Sequence, residues 1–80
     1  MYYVYILKLY SDKFYIGYTQ DLKRRLSEHK DGKSYFVGRE KSFKLVYFEA
    51  FNDIDLAKQR ERSLKNYGSA YKELLKRIAI

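Results

Sequence analysis

Tyr2-Tyr3-Val4-Tyr5-Ile6-Leu7 and, after a polar interval at Ser11-Asp12-Lys13, Phe14-Tyr15-Ile16-Gly17-Tyr18 form the stretch on which the fold turns. Aromatic and β-branched side chains suit the pleated strand. Period-two alternation places Tyr3, Tyr5 and Leu7 on one face and Tyr2, Val4 and Ile6 on the other. With a polar turn between the two runs, residues 2–18 predict an antiparallel hairpin. Gly17 departs from the composition of its strand, since glycine weakens a strand interior. It marks either a close approach by another group or simply the strand end before a helix cap.

Outward from the hairpin, Thr19 and Asp21 can each cap a helix, their side-chain oxygens accepting from first-turn amides that lack partners. A helix is predicted over about 21–30. Asp31-Gly32-Lys33-Ser34 stops it, and the polar stretch through Lys41-Ser42 reads as a mobile loop. Residues 43–51 return to strand composition, and Asn52-Asp53 caps a second helix over about 53–66 that Tyr67-Gly68-Ser69 ends. Leu74, Leu75 and Ile78 fall at helical spacing and predict a third helix that packs back on the sheet. The order is ββαβαα, an α/β (α+β) architecture with a three-stranded antiparallel sheet flanked by helices. At 80 residues, without repeat or linker, one domain over 1–80 is expected.

No cysteine is present, which excludes disulfides and thiolate metal sites and fits a cytoplasmic setting. Ten Tyr and five Phe supply large buried areas instead. The apolar start ends at Lys8, far short of the roughly 20 residues that span a bilayer. No basic segment precedes it, so neither a membrane anchor nor a signal peptide is expected. A net charge of +7 favours a polyanionic partner, nucleic acid first, over an inert basic surface.

The first two helices carry polar residues where periodicity calls for apolar ones. In the first, Leu22, Arg25, Leu26 and His29 share a face, so Arg25 and His29 point toward the sheet while Lys23 and Arg24 project elsewhere, available to solvent or phosphate. Arg25 either snorkels over the leucines or serves a site, and His29 is either a satisfied core imidazole or a site residue. In the second, Ile54, Ala57, Glu61 and Leu64 form the core-facing stripe. A carboxylate there needs a partner, either an Arg or Lys side chain or a metal ion.

Tyr3-Val4-Tyr5, then Tyr15-Ile16-Gly17 ten residues after Tyr5, then Thr19-x-Asp21-Leu22-x-x-Arg25-Leu26-x-x-His29, resemble the GIY-YIG nuclease superfamily. The chain is most similar to its small stand-alone members of the UPF0213 type. The likeness extends through Lys44-Leu45-Val46-Tyr47 and Ala57-x-x-x-Glu61-x-x-x-Lys65. By this resemblance Tyr5 is the first-motif tyrosine, Tyr15 and Gly17 belong to the second motif, Arg25 is the catalytic arginine, His29 matches a frequent His or Tyr, and Glu61 is the metal-binding glutamate. The implied activity is hydrolysis of DNA phosphodiester bonds with a divalent ion, Mg²⁺ or Mn²⁺. Tyr3 replaces the first-motif glycine, Tyr18 stands where some members carry lysine, and the family's late asparagine has no counterpart beyond Asn66. With no appended domain, low sequence specificity is expected.

Such a reaction needs an activated water, charge stabilisation on the phosphoryl oxygens and help for the leaving oxygen. The expectation is that Glu61 holds the metal through an oxygen and Arg25 clamps the phosphate. Tyr5 acts as general base through a phenolate favoured by nearby cations, Tyr15 positions water or phosphate, and His29 relays a proton or orients Tyr5. Gly17, Lys23 and Arg24 line the substrate side. The competing reading is a non-catalytic nucleic-acid-binding module that uses Lys23, Arg24 and the basic loop with exposed tyrosines. RNA remains open as a ligand, as does a protein partner or homodimer that supplies specificity.

Overall fold

The computed structural model describes residues 1–30 and 43–78. Its elements are β1 (Tyr2–Leu9), β2 (Phe14–Thr19), α1 (Leu22–Lys30), β3 (Phe43–Phe51), α2 (Ile54–Lys65) and α3 (Ser69–Ile78). All strand pairs are antiparallel, with β1 central in the order β2-β1-β3. The ββαβαα α+β reading of the sequence is therefore what the chain adopts. The loop expected over 31–42 lies outside the described residues.

Local chemistry explains the element ends. The hairpin closes with Leu9 N–H donating to the Lys13 carbonyl at 2.8 Å and Asp12 N–H to the Leu9 carbonyl at 2.9 Å. Tyr10-Ser11-Asp12 is thus a three-residue loop whose last member, Asp12, takes a left-handed conformation at φ 65°. Both caps expected before α1 are used: Asp21 Oδ1 accepts from Arg24 N–H at 3.1 Å, and Thr19 Oγ1 accepts from Asp21 N–H at 3.1 Å. Asp53 caps α2 by accepting from Asp55 N–H at 2.7 Å. Past α2, the left-handed residue is Tyr67 at φ 56°, and its ring packs edge-on against Tyr71 at 4.9 Å.

Helices pack against both faces of the sheet, so the middle of the central strand is buried whichever way its side chains point. Val4, Tyr5, Ile6 and Leu7 are all 2 % exposed or less. Val4, Ile6 and Ile16 pack with Ala57 and Leu64 of α2 and Leu74 of α3. Tyr5, Leu7 and Leu9 pack with Leu22 and Leu26 of α1 and with Phe43 and Leu45.

One irregularity redistributes β3 between the faces. Ile6 pairs with Tyr47 but Leu7 pairs with Leu45, so two residues of β3 answer one of β1, a bulge at Val46. Strict alternation would send Phe43, Leu45, Tyr47 and Glu49 to the same side. The bulge instead keeps Phe43 and Leu45 against α1 and turns Val46, Tyr47 and Phe51 toward α2 and α3. Glu49 then meets Arg60 of α2 in a bidentate contact, with Nη2 to Oε2 at 2.8 Å and Nε to Oε1 at 3.0 Å, and it accepts from the Tyr47 hydroxyl at 2.8 Å. Burial alone would raise the Glu49 carboxyl, but these hydrogen bonds hold it below the usual carboxylate range.

Candidate active site

The site grows from one cross-strand pair. Tyr5 of β1 lies opposite Gly17 of β2, and its ring leans over the glycine. A β-carbon at Gly17 would collide with the Tyr5 hydroxyl and Cζ and would lie 2.9 Å from Cε1. The glycine therefore marks a close approach, and the approaching group is the first-motif tyrosine itself.

α1 closes over this pair with the residues its stripe aims inward. His29 is 2 % exposed, and its Nε2 lies 2.8 Å from the Tyr5 hydroxyl oxygen. Its ring stands in an aromatic box, 5.8 Å from Tyr5, 5.3 Å from Tyr15 and 6.1 Å from Phe43 between centroids. Burial, assisted by the charge of Arg25, lowers the pKa of His29, so the imidazole is neutral at pH 7. Its Nδ1 is buried without a hydrogen-bond partner among the described residues. Buried N–H groups are orphaned far more rarely than acceptors. The proton therefore belongs on Nε2, which donates to Tyr5, and leaves Nδ1 bare.

Arg25, one turn earlier, acts on the same oxygen. Its guanidinium is held charged chiefly by hydrogen bonding to Tyr5, with further contributions from Glu28 and Tyr15. The Glu28 contact spans 3.4 Å between Nη1 and Oε1. Tyr5 thus has His29 at hydrogen-bond distance and the Arg25 cation beside it, yet it is not a phenolate. Desolvation outweighs Arg25 and pushes its pKa up to about 12, with the Glu61 carboxylate adding to the rise. The phenolate expected from the neighbouring cations is corrected accordingly: without further positive charge Tyr5 is a neutral phenol at pH 7, because its ring is fully enclosed by the sheet and α1.

Glu61 enters from the opposite layer, on α2, and its charge reaches the Tyr5 hydroxyl. The carboxylate is largely sheltered, with 21 % side-chain exposure, and pairs with Lys65 at 3.4 Å one turn along the helix. Of the two kinds of partner foreseen for it, the one present is a lysine ammonium. Among the described residues no three His, Cys, Asp or Glu side chains converge.

The structure brings Tyr5, Tyr15, Gly17, Arg25 and His29 into contact or near-contact and sets Glu61 within electrostatic reach. Lys23 and Arg24 are exposed on the outer side of α1, Arg24 4.0 Å from Glu28. Two participants escaped the sequence reading. Glu28 steadies Arg25, and its position three residues on along the helix was a usable signal. Phe43 walls His29, which only strand pairing could reveal.

The GIY-YIG catalytic domain family matches residues 1–78. A UPF0213 protein of Haloquadratum walsbyi is 39% identical over 75 residues, covering 91% of this chain and 83% of its own length. Another from Halobacterium salinarum is 36% identical and covers 94% and 99%. The solution NMR structure of a UPF0213 protein from Bacillus halodurans superposes with a TM-score of 0.61 at 37% identity, covering 98% of this chain and 85% of that one. With its two tyrosine motifs joined across β1 and β2 and its arginine and histidine delivered by α1, the chain belongs to the GIY-YIG catalytic domain family of nucleases, alongside the UPF0213 proteins.

Proposed function

We propose that the chain is a divalent-metal-dependent endonuclease that hydrolyses DNA phosphodiester bonds with low sequence specificity, acting in DNA repair or recombination. The observation that carries this reading is the convergence of Arg25 and His29 on the Tyr5 hydroxyl, in a chain with a net charge of +7.

In this reading Arg25 binds a non-bridging oxygen of the scissile phosphate with the part of its guanidinium left open by Glu28, a planar donor fork matched to phosphate. Tyr5 is the general base toward the attacking water. Its ionised form is held by N–H donors from His29 and Arg25, so the phenolate is stabilised once its proton leaves. His29, neutral and with its proton on Nε2, orients the Tyr5 oxygen. Tyr15 positions the water or a phosphate oxygen. Glu61 would hold the metal, Mg²⁺ or Mn²⁺, after exchanging Lys65 for it. A bound ion would neutralise charge developing on the phosphoryl oxygens and offset the Glu61 charge that opposes ionisation of Tyr5.

Cleavage of labelled DNA and RNA substrates with Mg²⁺ or Mn²⁺ tests the reading on wild type, Arg25→Ala and Glu61→Ala. Cuts made by wild type and lost in both variants are expected, with Glu61→Ala retaining substrate binding. Uncut substrates, or equal cutting by all three proteins, would leave a nucleic-acid-binding module as the better description.

A further inference from the structure

α1 covers only part of its sheet face. Leu22 and Leu26 lie over the Tyr5, Leu7 and Leu9 end, and the face continues uncovered past the start of the helix. There Tyr3 and Phe48, diagonal neighbours on β1 and β3, meet edge to face with centroids 6.2 Å apart and planes at 63°. Phe48 is 52 % exposed. The pair floors one side of an open groove of about 1090 Å³ whose other wall is the first turns of α1, carrying Lys23, Arg24 and Arg25.

We propose that this groove is a subsite for an unpaired nucleobase, so that the substrate is a strand with single-stranded character whose base stacks on the Tyr3–Phe48 shelf while its phosphate lies at Arg25. The proposal rests on the reading of Arg25 as the phosphate contact. The chemistry of the groove selects this occupant. An exposed aromatic patch calls for a ligand with an apolar face, and the cations along the rim call for an anion attached to it. A nucleotide is both at once, and stacking on an aromatic platform beside a basic groove is how single strands are held without reading their sequence. The two acidic side chains on the wall do not oppose this. Asp21 is engaged in capping α1 and Glu28 is paired with Arg25 and Arg24, whereas Lys23 forms no ion pair among the described residues. A paired base cannot enter, since both its faces are stacked within the duplex. Arg25 lines this groove and also acts on Tyr5, so a strand seated here runs directly to the general base.

The test is equilibrium binding in EDTA, where cleavage cannot occur, read as fluorescence anisotropy. The probes are a labelled oligo-dT, an abasic oligomer of the same length and charge, an oligo-rU and a duplex. Stacking contributes roughly five- to a hundredfold per base. Wild type should bind oligo-dT at least fivefold more tightly than the abasic strand and more tightly than the duplex. Phe48→Ala, at a half-exposed site, should bring the dT-to-abasic ratio close to one while leaving abasic binding unchanged. Tyr3→Ala should do the same. Oligo-rU behaving like oligo-dT would extend the subsite to RNA, and weaker binding would restrict it to DNA; either keeps the stacked base. Equal affinity for dT and abasic strands, or a ratio untouched in both variants, would overturn it. Because no metal is present, base-dependent binding survives even if the protein never cuts, and cutting without base dependence would sink the shelf and spare the nuclease.

Discussion

Gly17→Ala is the smallest change that separates a structural glycine from a site-forming one. The added methyl would fall on the Tyr5 ring, within 2.9 Å of Cε1 and closer still to Cζ and the hydroxyl oxygen, where ordinary carbon contacts begin near 3.5 Å. The neighbour is the end of a ring that is fully buried and bonded to His29, so it cannot swing into solvent. Either the ring shifts and breaks the 2.8 Å contact with His29 Nε2, or β2 moves away from β1. Overpacking of this kind costs about 1–3 kcal/mol. In a domain of this size each kcal/mol lowers Tm by roughly 4–8 °C. Urea denaturation followed by far-UV circular dichroism should therefore report a loss of about 1–3 kcal/mol at unchanged m-value. In the Tyr5→Phe background the same substitution should cost about 1 kcal/mol less, since one colliding atom is gone. A Gly17→Ala protein within about 0.5 kcal/mol of wild type and with unimpaired cleavage would refute the argument, because the ring would then have room that the structure denies it.

Cleavage at saturating metal should rise with pH above neutrality, as the rate follows the ionised fraction of a phenol whose pKa burial raises, and Tyr5→Phe should abolish both rate and slope. The same phenol makes the fold alkali-sensitive. Because its folded pKa lies above the unfolded value of 10.0, its stabilisation is complete below pH 10 and is lost as pH rises toward about 12, which a pH series of denaturation curves would read. His29 works in the opposite sense: its lowered pKa gives a contribution present above pH 6.5 and lost on acidification, so wild type should weaken below that point and His29→Gln should not until Glu49 begins to protonate below the ordinary carboxyl value of 4.5. Asp12→Gly, at the left-handed hairpin residue, should raise stability by up to about 1 kcal/mol despite losing the 3.6 Å pairing with Lys8, measured as a higher urea midpoint.

Much of this protein is legible in its sequence. Alternation in the hairpin, the caps at Asp21 and Asp53 and the break after Lys65 are local signals, and helix and strand ends depend on local hydrogen-bond partners. The inward aim of Arg25 and His29 follows from helical period alone, because residues three and four apart share a face whatever the helix packs against. What period cannot supply is register between strands. That Gly17 lies opposite Tyr5, that Phe43 reaches His29, and that a bulge at Val46 turns Glu49 toward Arg60 are consequences of pairing between distant segments. The protonation of Tyr5 belongs to the same class. Its sequence neighbours suggest a phenol beside cations, but its pKa is decided by how completely α1 and the sheet exclude water, and that exclusion exists only once the two layers have met. The uncovered shelf at Tyr3 and Phe48 is likewise the part of a sheet face that a helix of fixed length fails to reach, a fact of three-dimensional geometry with no local signature.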